Sequence, residues 1–234
     1  MWQQQILTYY PQAKPSEDVR ADLLQRLENE FGGDRKQTLL ATSICVDEVN
    51  FASIKLQQNL DAAFVLGGLA GYPFVGRTGM SAYAHHVPDD GTAFIFYGPH
   101  IGITPQGTLG ALCRRGQTKA GNSCGALMLA LLHLQANPSV SQVSPTVEAE
   151  DDDLQQAMLV RWLTVHRERI LTAKLPQHEI TEVAYELIHQ QIHALVTATR
   201  AEFHCARIVL AGGILINTGP TNDDWVDLRH VQVV

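Results

Sequence analysis

The sequence predicts an α/β fold: a mostly parallel central sheet flanked by helices. Three observations lead there. Short apolar runs without polar alternation occur at residues 38–45, 93–97 and 207–210, as expected of strands buried on both faces. Stretches with helical periodicity separate them. Glycines directly follow the strand ends, at Gly98 and at Gly212-Gly213. At 234 residues with 45% apolar and 18% charged side chains, the chain is expected to form a single domain over 1–234 with a good-sized core.

Taken in order, residues 16–31 (SEDVRADLLQRLENEF) read as an amphipathic helix capped by Ser16, with acidic residues in its first turn and Gly32-Gly33 as its stop. Residues 38–45 (TLLATSIC) read as a buried strand, with Cys45-Val46-Asp47 at its carboxyl end. A helix is expected over 51–66, ended by the glycine loop 67–71. The strand at 93–97 runs straight into Gly98-Pro99-His100. Gly121-Asn122-Ser123 is expected to start a helix that holds Cys124 in its first turn. Residues 138–145 read as a linker and 148–153 as an acidic run facing water. Helical periodicity continues over 154–171 and 179–204, so the span of about 148–204 is expected to be helical. The last strand is read at 207–210, with 214–218 continuing extended.

Several function classes are excluded at this level. Seventeen basic against 24 acidic side chains, a net charge of −7, argue against a nucleic-acid binder held by phosphate contacts. The longest apolar runs, 125–132 and 208–216, fall far short of the ~18 residues of a membrane span. The first residues carry neither a basic nor an apolar leader pattern, and the expectation is a cytoplasmic protein with reduced cysteines.

Sites in open α/β sheets form beyond the carboxyl ends of the strands. Cys45 ends one strand, His100 follows another, and Cys124 starts a helix whose amides and dipole favour a thiolate. Cys, His and Cys at one sheet edge can hold Zn²⁺ through three protein ligands with an open fourth position, the pattern of a catalytic zinc. The same cysteines also read as buried apolar filler or as nucleophiles.

The local sequences add a resemblance. ICVDEVN (44–50), GGLAGYPFVGRTG (67–79), HHVPDDG (85–91), YGPHIGI (97–103), RRGQ (114–117), SCGA (123–126) and LAGGILINT (210–218) occur in this order. Together, over about residues 38–218, they resemble the limiting-CO2-inducible protein B/C family. The resemblance implies a beta-carbonic-anhydrase-like fold, with zinc bound by Cys45, His100 and Cys124. It also implies reversible hydration of CO2 to bicarbonate, and a homodimer. Asp47 matches the Cys-x-Asp element of beta-class carbonic anhydrases, where it would accept a hydrogen bond from the nucleophile and orient it, or else close the site as a ligand. That class pairs the aspartate with an arginine two residues on; here Val49 stands there. Arg77, in the glycine loop, is expected to supply the partner, with Arg115 second.

Other candidates have plainer readings. The glycine loop 67–79 lacks the Gly-Lys-Ser/Thr ending of a phosphate loop. His85 and His86 read as proton shuttles or turn residues. Cys113 and Cys205 read as structural, the latter on the inner face of the last helix, and Gln117, Asn122 and Ser123 as pocket lining or caps. His189 and His193, four apart, have no evident third ligand and read as solvated helix surface. Two alternatives to the anhydrase stay open: a catalytically silent zinc protein working through a partner, and a metal-free cysteine amidohydrolase using Cys45 or Cys124 with His100 and Asp47.

Overall fold

The computed structural model describes residues 2–51, 54–60, 63–137, 152–220 and 222–234. In chain order the elements are α1 (Trp2–Tyr9), β1 (Lys14–Pro15), α2 (Ser16–Asn29), β2 (Thr38–Ser43), β3 (Ala63–Val65), α3 (Gly76–His86), β4 (Thr92–Tyr97), β5 (His100–Gly102), β6 (Ala111–Leu112) and β7 (Gly121–Asn122). Then follow α4 (Gly125–Ala136), α5 (Leu154–Thr164), α6 (Arg167–Thr172), α7 (Pro176–Ala198), β8 (Arg207–Asn217) and β9 (Trp225–Val233).

The sheet runs β1-β9-β8-β4-β2-β3, with β5 also pairing to β8. The β3–β2, β2–β4, β4–β8 and β5–β8 pairs are parallel; β9 alone is reversed, so its pairs with β8 and β1 at one edge are antiparallel. Every residue of β4 is buried, because helices cover both faces. Ala93, Ile95 and Tyr97 join a layer with Tyr83 of α3 and Tyr185, Ile188 and Ile192 of α7. Phe94 and Phe96 join the opposite layer with Val19, Leu23 and Leu27 of α2. An unalternating run is what a strand needs when neither face meets water. A third apolar cluster, built from α4, α5, α6 and α7, reaches Cys45 and Cys124.

Four readings of the sequence are corrected. The helix expected over 51–66 is absent among the described residues of that span, which form a short 3-10 turn at Leu56–Gln58 and strand β3. Lys55 sits in the left-handed region at φ 50°, which breaks helical continuity, and β3 gains its backbone partners from β2 instead. The helix over 154–171 is two helices, parted at Val165 and at His166, whose φ −103° and ψ 13° are not helical. The last helix starts earlier, with Pro176 in its first turn, and stops at Ala198, so Cys205 lies buried in the connection before β8 and not on a helix. Ser16 opens α2 as its first residue, and makes no side-chain cap. The linker at 138–145 and most of the acidic run lie outside the described residues. No helix among those described is long and apolar enough to cross a membrane.

Candidate metal centre

Three elements bring three ligand-type side chains to one place. Cys45 lies two residues past the end of β2. His100 opens β5, which continues the path of β4 alongside β8 after a kink at Gly98-Pro99. That kink needs glycine: a Cβ on Gly98 would meet the Gly213 carbonyl oxygen at 1.7 Å. Cys124 is the residue from which α4 starts, one position before the helix proper. The Ala126 and Leu127 amides act to lower the pKa of its thiol, the direction a helix start favours.

The two sulfurs lie 3.8 Å apart, and one ligand atom from each of Cys45, His100 and Cys124 falls within 4.8 Å of the others. His100 is fully buried, and its Nε2 has no hydrogen-bond partner, a costly state for a buried imidazole nitrogen unless it has another use. Its Nδ1 is 2.7 Å from Asn217 Oδ1, and Asn217 Nδ2 in turn donates to Asp224 at 3.2 Å. Asn217 thus takes the Nδ1 proton and leaves Nε2 bare toward the sulfurs, as partners of metal-ligating histidines do. With ligand bonds of about 2.0–2.3 Å, donors this close together fit a tetrahedral zinc with one position open. The donor set fits the ion that the resemblance implies.

The electrostatics favour ligation. The Cys45 thiol is pushed down to about 4, chiefly by the hydrogen bond with Cys124, with His100 adding to it against the cost of burial. The Cys124 thiol moves the other way, through that same bond and through burial. Burial works against a charged His100, yet Cys45, Asn217 and Asp47 together more than offset it and the imidazole is shifted up.

Asp47 stands beside this cluster, with Oδ2 3.9 Å from His100 Nε2. Burial raises its pKa, but a hydrogen bond with Glu48 and the charges of His100 and Arg114 lower it further, so it stays a carboxylate. Its arginine is Arg114, with Nη2 2.6 Å from Asp47 Oδ2. Arg114 also reaches Glu48 at 3.3 Å and the Asn122 carbonyl at 3.3 Å. Arg77, expected in this role, sits exposed in the first turn of α3. Arg115 lines the neighbouring cavity. That cavity, about 390 Å³, is also lined by Glu48, Arg114 and Asn217, so the residues that orient Asp47 and His100 form its wall. Asn50, buried, donates to the Cys45 and Asp47 carbonyls and ties the ligand to the acid.

The remaining candidates fall elsewhere. His85 and His86 close α3, the first bonded to the Ser81 carbonyl and the second against the Phe64 ring. Cys113 donates to the Gln117 carbonyl. Reading the sequence alone missed Arg114, Asn217 and Asn50. All three lie inside the RRGQ, LAGGILINT and ICVDEVN segments, so the segments carried the signal and the choice within them did not.

Residues 14–234 match the model of the limiting CO2-inducible proteins B/C beta carbonic anhydrases. The chain belongs to that family. Among solved structures, PtLCIB4, a homolog of the limiting CO2-inducible protein LCIB, is 29% identical, with a TM-score of 0.87 over 98% of this chain and 94% of that one. The limiting CO2-inducible protein LCIB itself is 20% identical, with a TM-score of 0.68 over 97% of this chain and 92% of that one, and shares the fold. No curated protein matches the chain. The family's beta-carbonic-anhydrase-like architecture accords with the parallel sheet and with the Cys-His-Cys cluster at its edge.

Proposed function

We propose that the chain is a carbonic anhydrase, interconverting CO2 and bicarbonate with zinc held by Cys45, His100 and Cys124. The observation that carries this is the bare, buried Nε2 of His100 facing two thiols, next to a carboxylate that an arginine holds in place. When bound, zinc supplies Lewis acidity that lowers the pKa of water from ~15.7 toward ~7. Two thiolates offset much of its charge, so the pH needed is higher than at an all-histidine centre.

The protein's own groups do the rest. Asp47 accepts a hydrogen bond from the attacking water and orients its lone pair toward CO2. Arg114 fixes Asp47 Oδ2 and offsets its charge, which keeps the carboxylate from turning onto the ligands. Asn217 holds the His100 ring in the ligating tautomer. Arg114 supplies the guanidinium that Val49 does not, which supports turnover over a silent zinc protein. A cysteine amidohydrolase leaves the second thiol without a role.

Two further parts belong to the same proposal. A reducing, cytoplasm-like compartment suits two thiols 3.8 Å apart that must remain unbridged. A second copy of this chain is proposed to cover the exposed Leu129 and Leu132 of α4, a helix apolar on nearly every side. Sedimentation of the wild type against Leu129→Glu/Leu132→Glu tests this, and an unchanged mass would refute it.

The activity is tested by stopped-flow CO2 hydration on protein of measured zinc content. Close to one zinc per chain, with turnover, supports the reading. Zinc-loaded, folded protein without turnover would point to a binding role through a partner. Metal-free protein with full turnover would overturn the reading.

A further inference from the structure

Apart from His100, three of the ten histidines gather where α7 lies over the sheet. His189 and His193 are one turn apart on α7, and His230 comes from β9. The His189 ring centre is 4.5 Å from that of His193 and 4.4 Å from that of His230.

Their meeting depends on a β-bulge. Leu228 pairs with Gly213, but His230 pairs with the next residue back, Gly212, so Arg229 is an extra residue in β9. Regular alternation would put residues 228 and 230 on one face. The extra residue leaves Leu228 and Val231 against the α2-side layer and turns His230 and Gln232 toward α7. Gly212 completes the arrangement: a Cβ there would meet the Tyr97 ring at 2.5 Å. The bare backbone lets Tyr97 lie over β8 with its hydroxyl at His189.

Each imidazole is held by one nitrogen. Tyr97 Oη lies 2.7 Å from His189 Nδ1, Tyr185 Oη 2.6 Å from His230 Nδ1, and Gln232 Nε2 2.9 Å from His193 Nε2. The second nitrogen of each ring is left open: Nε2 of His189, Nε2 of His230 and Nδ1 of His193. Holding a ring by its far nitrogen is how proteins orient metal ligands. Burial, then His230 and His193, lowers the pKa of His189, and burial and His230 lower that of His193, which keeps both neutral and able to ligate at pH 7. Burial raises both tyrosines, so their hydroxyls stay protonated and neutral and can accept an N–H. The nearby cation, Arg229, is paired with Glu182 and Asp227.

We propose that His189, His193 and His230 form a second, solvent-reachable site for a divalent transition-metal ion, with nitrogen donors only. Such a set suits zinc, cobalt, nickel and copper. His189 stacks on His230 and is tilted against His193, so closing on an ion takes a turn of the side chains. It also takes a half-turn of the Gln232 amide, whose Oε1 then accepts the His193 Nε2 proton and frees Nδ1.

The test is a Co²⁺ titration of protein whose thiolate centre is already filled with zinc. One further equivalent is expected, with cobalt ligand-field absorption and no sulfur-to-cobalt charge-transfer band. His193→Gln and His230→Gln should each weaken it at least about 10-fold, and Tyr97→Phe, a positioning variant, about 10–100-fold, with zinc in the thiolate centre unchanged. No saturable uptake, uptake with a thiolate band, or uptake in both histidine variants as tight as in the wild type would each overturn the proposal.

Discussion

Two histidine clusters in this protein use the same device in opposite surroundings. At the thiolate centre, Asn217 holds His100 by Nδ1 and leaves Nε2 bare in a fully buried site. Between α7 and β9, Tyr97 and Tyr185 hold His189 and His230 by Nδ1, but His189 is only half-buried and His230 is exposed. Burial makes the difference. A buried bare nitrogen beside two thiols has no alternative partner in water, so the centre favours a tightly held ion. The α7–β9 nitrogens can turn to water, so any ion there exchanges.

The comparison is broken most sharply at His100. His100→Ala should lose zinc and CO2 hydration together, since two cysteines alone hold a four-coordinate ion poorly; elemental analysis and stopped-flow read both losses. Retained zinc would show that the buried imidazole is not a ligand. Arg114→Ala comes next. It should keep its zinc and lose about 10²-fold in turnover, the scale of a misplaced reacting group, with no recovery at high pH. Arg77→Ala should match the wild type, and the reverse pattern would move the pair to the other arginine.

Asn217→Ala probes the orienting bond alone. Zinc affinity should fall about 10–100-fold, measured by competition with a chelator, while thermal unfolding of the zinc-loaded protein stays cooperative. An unchanged affinity would mean that packing by itself fixes the ring.

The smallest effect belongs to the exposed cluster. His189 and His193 have pKa values below the ordinary 6.5, so the unfolded chain binds protons more readily than the folded one. Their contribution to stability is therefore complete above pH 6.5 and declines as pH falls through the folded values. Around them stand His230, Tyr97, Tyr185 and Arg229, the last paired with Glu182 and Asp227. The melting temperature should drop on going from pH 7 to pH 5, and His189→Gln/His193→Gln should flatten that slope. Parallel slopes in both proteins would show that other groups set the acid sensitivity.

Residue order alone was enough to predict the parallel sheet, because a run such as AFIFY (93–97), without polar alternation, suits a strand covered on both sides. It also pointed to the trio that could hold a metal, since Cys45, His100 and Cys124 each sit at a strand end or a helix start, and those ends meet at one edge in a parallel sheet. Tertiary structure decided what depends on distance across loops. Along the chain Arg77 is the expected partner of Asp47, with Arg115 second, and only the position of the loop after β6 brings Arg114 to 2.6 Å instead. The residues of β3 carry helical periodicity, but pairing with β2 outweighs that weak local preference. The bulge at Arg229 was equally hidden: one unpaired residue inverts the faces of His230 and Gln232, and no alternation pattern records which residue a strand leaves out of register.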